Sequence, residues 1–154
     1  MTVSLTKGQS VPLASSTGAS LTYVRMGLGW DAVKKKGFLG RSKEQAIDLD
    51  ASAVLYDSSG TPVDQIWWKQ LKSQDGAVIH TGDNRTGLGD GDDESIKVHL
   101  DQLPANVAVI VFIVNSFTGQ NFSQIENAVC RLVDETNGQE ICRYELSGSG
   151  THTA

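Results

Sequence analysis

Period-two alternation, turn signals at short intervals and the lack of a sustained 3.6-residue apolar stripe predict an all-β chain. The expected architecture is a β-sandwich of two antiparallel sheets with short helical turns. Residues 21–26, 53–56, 65–68 and 96–100 are short runs rich in branched and aromatic side chains, and each reads as a strand. Residues 107–114 (VAVIVFIV) are apolar on both faces and suit a central strand. Asp57-Ser58-Ser59-Gly60, Gln74-Asp75-Gly76 and Asn137-Gly138 supply the turns between these runs. Residues 120–127 are read as a turn of helix.

The hairpin at Asn137-Gly138 admits a sharper expectation. A three-residue loop Thr136-Asn137-Gly138, closed by a glycine bulge, pairs Glu135 with Gln139 and Leu132 with Cys142. One face then carries Ala128, Cys130, Leu132, Cys142, Tyr144 and Leu146. A two-residue loop mixes the faces, and a buried face selects register, so the bulged hairpin is expected. In it Cys130 and Cys142 are diagonal neighbours, too far apart for a disulfide, and both are expected as buried free thiols.

At 154 residues the chain fits one domain, 1–154, with enough length to bury a core without disulfides. A net charge of −5 argues against nucleic acid and against unaided binding to anionic lipid. No apolar run follows Leu5 as a signal peptide would require, and 107–114 is too short to span a bilayer. The expected location is cytoplasmic, without membrane insertion. The basic run Lys34-Lys35-Lys36-Gly37-Phe38-Leu39-Gly40-Arg41-Ser42-Lys43 reads first as a solvated loop and second as a docking surface arching over a metal site.

The chemistry concentrates in residues 81–94 (TGDNRTGLGDGDDE). Asp83, Asp90, Asp92, Asp93 and Glu94 lie within twelve residues, with glycines threaded between them and Arg85 as the one cation. Glycine lets such a loop turn back at positive φ, and a hard cation relieves the repulsion among its carboxylates. Two further acidic points flank it in the sequence. Gly27-Leu28-Gly29-Trp30-Asp31 ends one strand, and Asp48-Leu49-Asp50-Ala51-Ser52 begins another, with Asp48 and Asp50 on one face. Calcium takes six to eight oxygens, and this supply suits two ions. The spacing excludes an EF-hand, because Leu88 stands where that loop requires glycine. A β-roll needs repetition that is not there. His80, His99 and His152 have no zinc spacing and read as ordinary surface residues. Trp67-Trp68 reads as one core and one half-exposed aromatic.

Those three motifs together resemble the TerD family of tellurite-resistance and stress proteins, in order and over essentially the whole chain. Leu71-Lys72-Ser73, Gly119-Gln120-Asn121-Phe122 and Arg143-Tyr144-Glu145-Leu146 extend the likeness. The resemblance implies a calcium-binding β-sandwich whose metal ligands here are Asp31, Asp48, Asp50, Asp83, Asn84, Asp92, Asp93 and Glu94, completed by carbonyls of the glycine-rich loop. It implies a role in tellurite and chemical stress beside other stress-response proteins and a membrane-protein partner, with no established enzymatic activity. Leu88 and Asp90 depart from the glutamates often found there. Family members also usually continue beyond Ser147 through a strand hairpin, and its lack would leave a sheet edge open to a second copy.

The functional expectation is therefore a non-enzymatic Ca²⁺-dependent interaction module. The rival is a Mg²⁺- or Mn²⁺-dependent phosphoesterase built on the same acids, with Arg85 and the 34–43 run as its substrate clamp.

Overall fold

In the computed structural model the described residues are 2–13, 18–31, 33–36, 42–87, 91–151 and 153–154, with backbone alone for 33–36 and 42–45. Among them are eleven strands: β1 (Val3–Leu5), β2 (Tyr23–Asp31), β3 (Val33–Lys36), β4 (Ser42–Gln45), β5 (Leu49–Tyr56), β6 (Pro62–Ile66), β7 (Val78–His80), β8 (Glu94–His99), β9 (Val109–Ser116), β10 (Glu126–Asp134) and β11 (Gln139–Glu145). Short 3-10 turns occupy Leu100–Gln102 and Phe122–Gln124, the second within the expected helical turn. The protein is all-β, as its periodicity predicts.

Six strands form one sheet in the order β1-β11-β10-β2-β8-β7, and three form another in the order β6-β5-β9. Pairing is antiparallel except that β1 runs parallel to β11, so the larger sheet is not purely antiparallel. β3 and β4 pair as a separate hairpin, which gives the basic run a strand backbone; residues 37–41, with Phe38 and Leu39, lie outside the described residues.

The core lies between the sheets. Val24, Met26, Leu28 and Trp30 of β2 and Ile96 and Val98 of β8 belong to the same buried cluster as Leu49, Ala51, Ala53 and Leu55 of β5 and Ile66 of β6. In β5 the odd residues are buried down the strand, while Ser52, Val54 and Tyr56 are half-buried on the other face.

The 107–114 segment departs from its expected place. β9 begins at Val109 and is an edge strand of the described three-stranded sheet. Ile110, Phe112 and Val114 pack on the core, but Val109 and Val111 are 52% and 41% exposed. An unbroken apolar run tells how much a strand is able to bury, not how many neighbours it has.

The β10–β11 hairpin keeps the expected Leu132–Cys142 pair and adds Cys130 opposite Tyr144. Its end differs. Asp134, not Glu135, faces Gln139, and the extra residue is absorbed by a register shift next to Leu132 and Val133. The reason is chemical. Asp134 is buried, and its carboxylate accepts the Thr136 N–H and Oγ1–H and the Asn137 Nδ2–H, closing the turn from within. Cys130 and Cys142 are both free thiols; Cys142 is buried as expected, whereas Cys130 is half-buried, and desolvation pushes its thiol up to about 11.

Candidate metal centre

The two acids that open the β5 segment stand as their spacing requires. Asp48 directly precedes β5 and Asp50 is its second residue, and both are buried, at 7% and 8% exposure. Asp48 is fixed through its backbone: its N–H donates to Thr118 Oγ1 at 3.2 Å and its carbonyl accepts the Phe117 N–H at 2.9 Å. Exposed Asp83 approaches from the segment that follows β7. Asp48, Asp50 and Asp83 each bring one carboxylate oxygen within 4.8 Å of the others, the one such metal-competent group among the described residues.

Glu94 and His80 hold the pieces together. β6 ends at Ile66, opposite Ala53, so it does not reach Ala51. Glu94 Oε2 accepts the Ala51 N–H at 2.8 Å, and His80 Nε2 lies 3.0 Å from the Ala51 carbonyl. The same two residues pin the segment around Asp83: Asn84 N–H donates to Glu94 Oε1 at 3.1 Å, and Gly82 N–H donates to His80 Nδ1 at 3.0 Å. With Nδ1 accepting, Nε2 carries the proton and donates to the carbonyl. His80 is therefore a buried structural residue, 3% exposed, and not the surface histidine expected from its neighbours. His99 stacks flat on Tyr23, ring centroids 4.0 Å apart, and His152 lies outside the described residues.

The other predicted ligands occupy a second neighbourhood. Asp93 accepts the Trp30 N–H at 3.0 Å and the Asn84 Nδ2–H at 2.9 Å. Exposed Asp31, at the end of β2, accepts from Asn127 Nδ2 at 2.5 Å, and its charge reaches Asp93. Asp92 is held by arginines, Arg25 on one oxygen and Arg131 Nε at 2.7 Å on the other. The Gly27-Leu28-Gly29 spacing makes room for this. A Cβ at Gly27 would strike the Asp92 carboxylate, and one at Gly29 would sit 2.5 Å from the Gly91 carbonyl. Leu28 and Trp30, between and after those glycines, face the core, where Trp30 Nε1–H donates to the Ile47 carbonyl at 2.8 Å. Leu88 and Asp90 lie outside the described residues.

Electrostatics mark the triad. Burial pushes Asp50 up to about 6, reinforced by the charges of Asp48, Glu94 and Asp83. Burial and then Asp83 also raise Asp48, with Arg85 partly offsetting them. Asp48 Oδ1 is buried without a hydrogen-bond partner. An orphaned carboxylate oxygen among repelling acids is the donor set of a hard cation: oxygen-only, anionic and short of partners.

A cavity of about 290 Å³ opens over this group, lined by Asp48, Asp50, Trp68, Asp83, Arg85 and Phe117. Trp68 and Phe117 are 41% and 65% exposed, and a larger groove beside β1, β10 and β11 gathers no comparable acids among its described residues. Neither tryptophan of the Trp67-Trp68 pair is in the core, because the chain turns there to bridge Trp67 to Gln70. Arg85, read from the sequence as a substrate clamp of the rival reading, does stand beside these acids, whereas sequence reasoning missed Trp68 and Phe117 as wall residues; exposed aromatics in otherwise polar turns were the available signal.

The TerD domain model matches residues 1–154. The chain belongs to the TerD family. It is 54% identical over 153 residues to the tellurium resistance protein TerZ of Serratia marcescens, covering 98% of this chain and 78% of that protein. It is 42% identical over 154 residues to general stress protein 16U of Bacillus subtilis (strain 168), covering 96% and 76%. A solved Streptomyces coelicolor A3(2) homologue of telluride resistance protein TerD shares the fold, with TM-score 0.65 at 23% identity over 80% of this chain and 71% of that one. This TerD-family chain thus belongs with tellurium-resistance and stress-response proteins and carries three aspartates able to hold a metal ion. Among its described residues no helix is long and apolar enough to cross a membrane.

Proposed function

We propose that this TerD-family protein is a calcium-dependent interaction module of the tellurite and chemical stress response. The observation that carries the reading is the buried, partnerless Asp48 Oδ1 beside Asp50 and Asp83. Asp48, Asp50 and Asp83 would hold the first ion. Asp31, Asp93 and the Asn84 side chain form the candidate second set. Glu94 and Asp92 act through others: Glu94 ties β5 to the Asp83 segment, and Asp92 fastens residues 91–93 to the arginines of β2 and β10.

Calcium supplies charge neutralisation and cross-linking, joining the start of β5 to the glycine-rich segment and so shaping the surface offered to other stress-response proteins. The cytoplasm is the compartment proposed for that encounter.

The test is calorimetric titration of metal-stripped protein with Ca²⁺ and with Mg²⁺. Saturable calcium binding is expected, with magnesium weaker because the smaller ion keeps its waters. Asp48→Asn or Asp83→Asn should weaken the tighter site by about tenfold or more, the loss of one charged ligand. Asp92→Asn should leave that site's affinity nearly intact. No calcium heat at any concentration would sink the proposal.

A further inference from the structure

Asp48, Asp50 and Asp83, at one oxygen each, would supply three of the six to eight ligands that calcium takes. The space above them is not a uniform acidic basin. Arg85 lines it and has no ion-pair partner within 4 Å among the described residues. Outside the lining, Lys69 holds its ammonium 4.5 Å from the Trp68 ring centroid. Two exposed aromatic rings, Trp68 and Phe117, border the cavity, and both continue into an adjoining hollow of about 190 Å³ lined also by Ser52, Gln65 and Asn115.

We propose that this cavity binds a small oxyanion joined to a planar apolar group. With a cation held by Asp48, Asp50 and Asp83, the oxyanion would be drawn to its charge and would take a charge-assisted hydrogen bond from Arg85, while the planar group would lie against Trp68 and Phe117. The inference rests on the calcium reading and deepens it by naming what the loaded site recognises. A phosphate or carboxylate suits both the cation and a guanidinium fork, which accept no neutral group as well. Ring faces pack planar ligands with little entropy loss, and Ser52, Gln65 and Asn115 offer polar contacts beyond them. The size of the cavity fits a small molecule at the lower end of ligand sites, not a folded partner. Cation–π recognition of an ammonium by the same rings and acids is the competing chemistry, and it would act on the metal-free protein.

The probe is phenyl phosphate, titrated by calorimetry into the full chain with and without calcium. Saturable binding is expected with calcium, lost on chelation, and about tenfold weaker in Arg85→Ala and in Trp68→Ala, the loss of one charge-assisted contact or one stacking wall. Calcium titration without probe comes first. Its failure defeats the calcium reading, whereas calcium binding with no saturable uptake of phenyl phosphate defeats this inference alone. Three further results overturn it: inorganic phosphate binding as tightly as phenyl phosphate, tetramethylammonium saturating the metal-free protein, or capture only by phosphatidylserine vesicles with no uptake of the soluble probe.

Discussion

Asp50 shows how one residue links fold to binding. An aspartate in an unfolded chain titrates near ~3.9. In the fold burial and three neighbouring acids raise it to about 6. The metal-free folded state therefore holds this proton more tightly than the unfolded one, so Asp50 stabilises the metal-free protein at low pH. That contribution fades as pH rises from about 4 through about 6. In the proposed calcium site the dependence would reverse, because the ion requires the carboxylate. At pH 5 the ion competes with a proton held one unit above ambient, and affinity should be roughly tenfold weaker than at pH 7. Calorimetry at the two pH values reads this, and proton uptake by the buffer should accompany binding near pH 6. Equal affinity at both would show that Asp50 is not titrating against the ion. Asp64, an acid outside the motifs, plays another part: it accepts from Gln65, Gln70 and Gln74 and so shapes the turn after β6.

At the scale of the element, glycine spacing in β2 matters as much as acid spacing. Gly27 and Gly29 share a face, and residues 91–93 lie directly across it, with the Asp93 N–H donating to the Leu28 carbonyl at 2.8 Å. Gly27→Ala would drive a methyl into the Asp92 carboxylate and disturb its pairs with Arg25 and Arg131. Overpacking of this kind costs about 1–3 kcal/mol. The melting temperature should fall by roughly 2–4 °C for each kcal/mol, and chemical denaturation should show the same loss. The φ of Gly27 is ordinary, so an unchanged melting point would mean that the segment yields easily. The strand β9 teaches a different lesson, since its sequence alone would serve equally well inside a sheet or at its edge.

For the whole molecule, an ion held by Asp48, Asp50 and Asp83 would join segments that are distant in sequence. Asp48 and Asp83 are held by separate parts of the fold, one by the Phe117–Thr118 turn and the other by Glu94 and His80. Binding confined to the folded state at ~100 times Kd adds about 2.7 kcal/mol. That corresponds to a rise in melting temperature of roughly 5–11 °C. Glu94→Ala should shrink the rise as well as lower the starting point, since it frees Asn84 and Ala51 together; a rise equal to wild type would deny Glu94 its positioning role.

The sequence by itself determined the class of fold, the strand that Asp48 precedes and that holds Asp50, the Leu132–Cys142 pair and the TerD family, because local periodicity and glycine–aspartate spacing are properties of neighbouring residues. It also determined which acids were available. Only the tertiary structure decided how they divide: Asp48, Asp50 and Asp83 together, Asp31 with Asp93, Asp92 between arginines, and Glu94 buried as a tie. Carboxylates look alike in sequence. What distinguishes them is whether a guanidinium, an amide N–H or open space stands opposite, and those partners come from strands up to 96 residues away, as with Asn127 and Asp31.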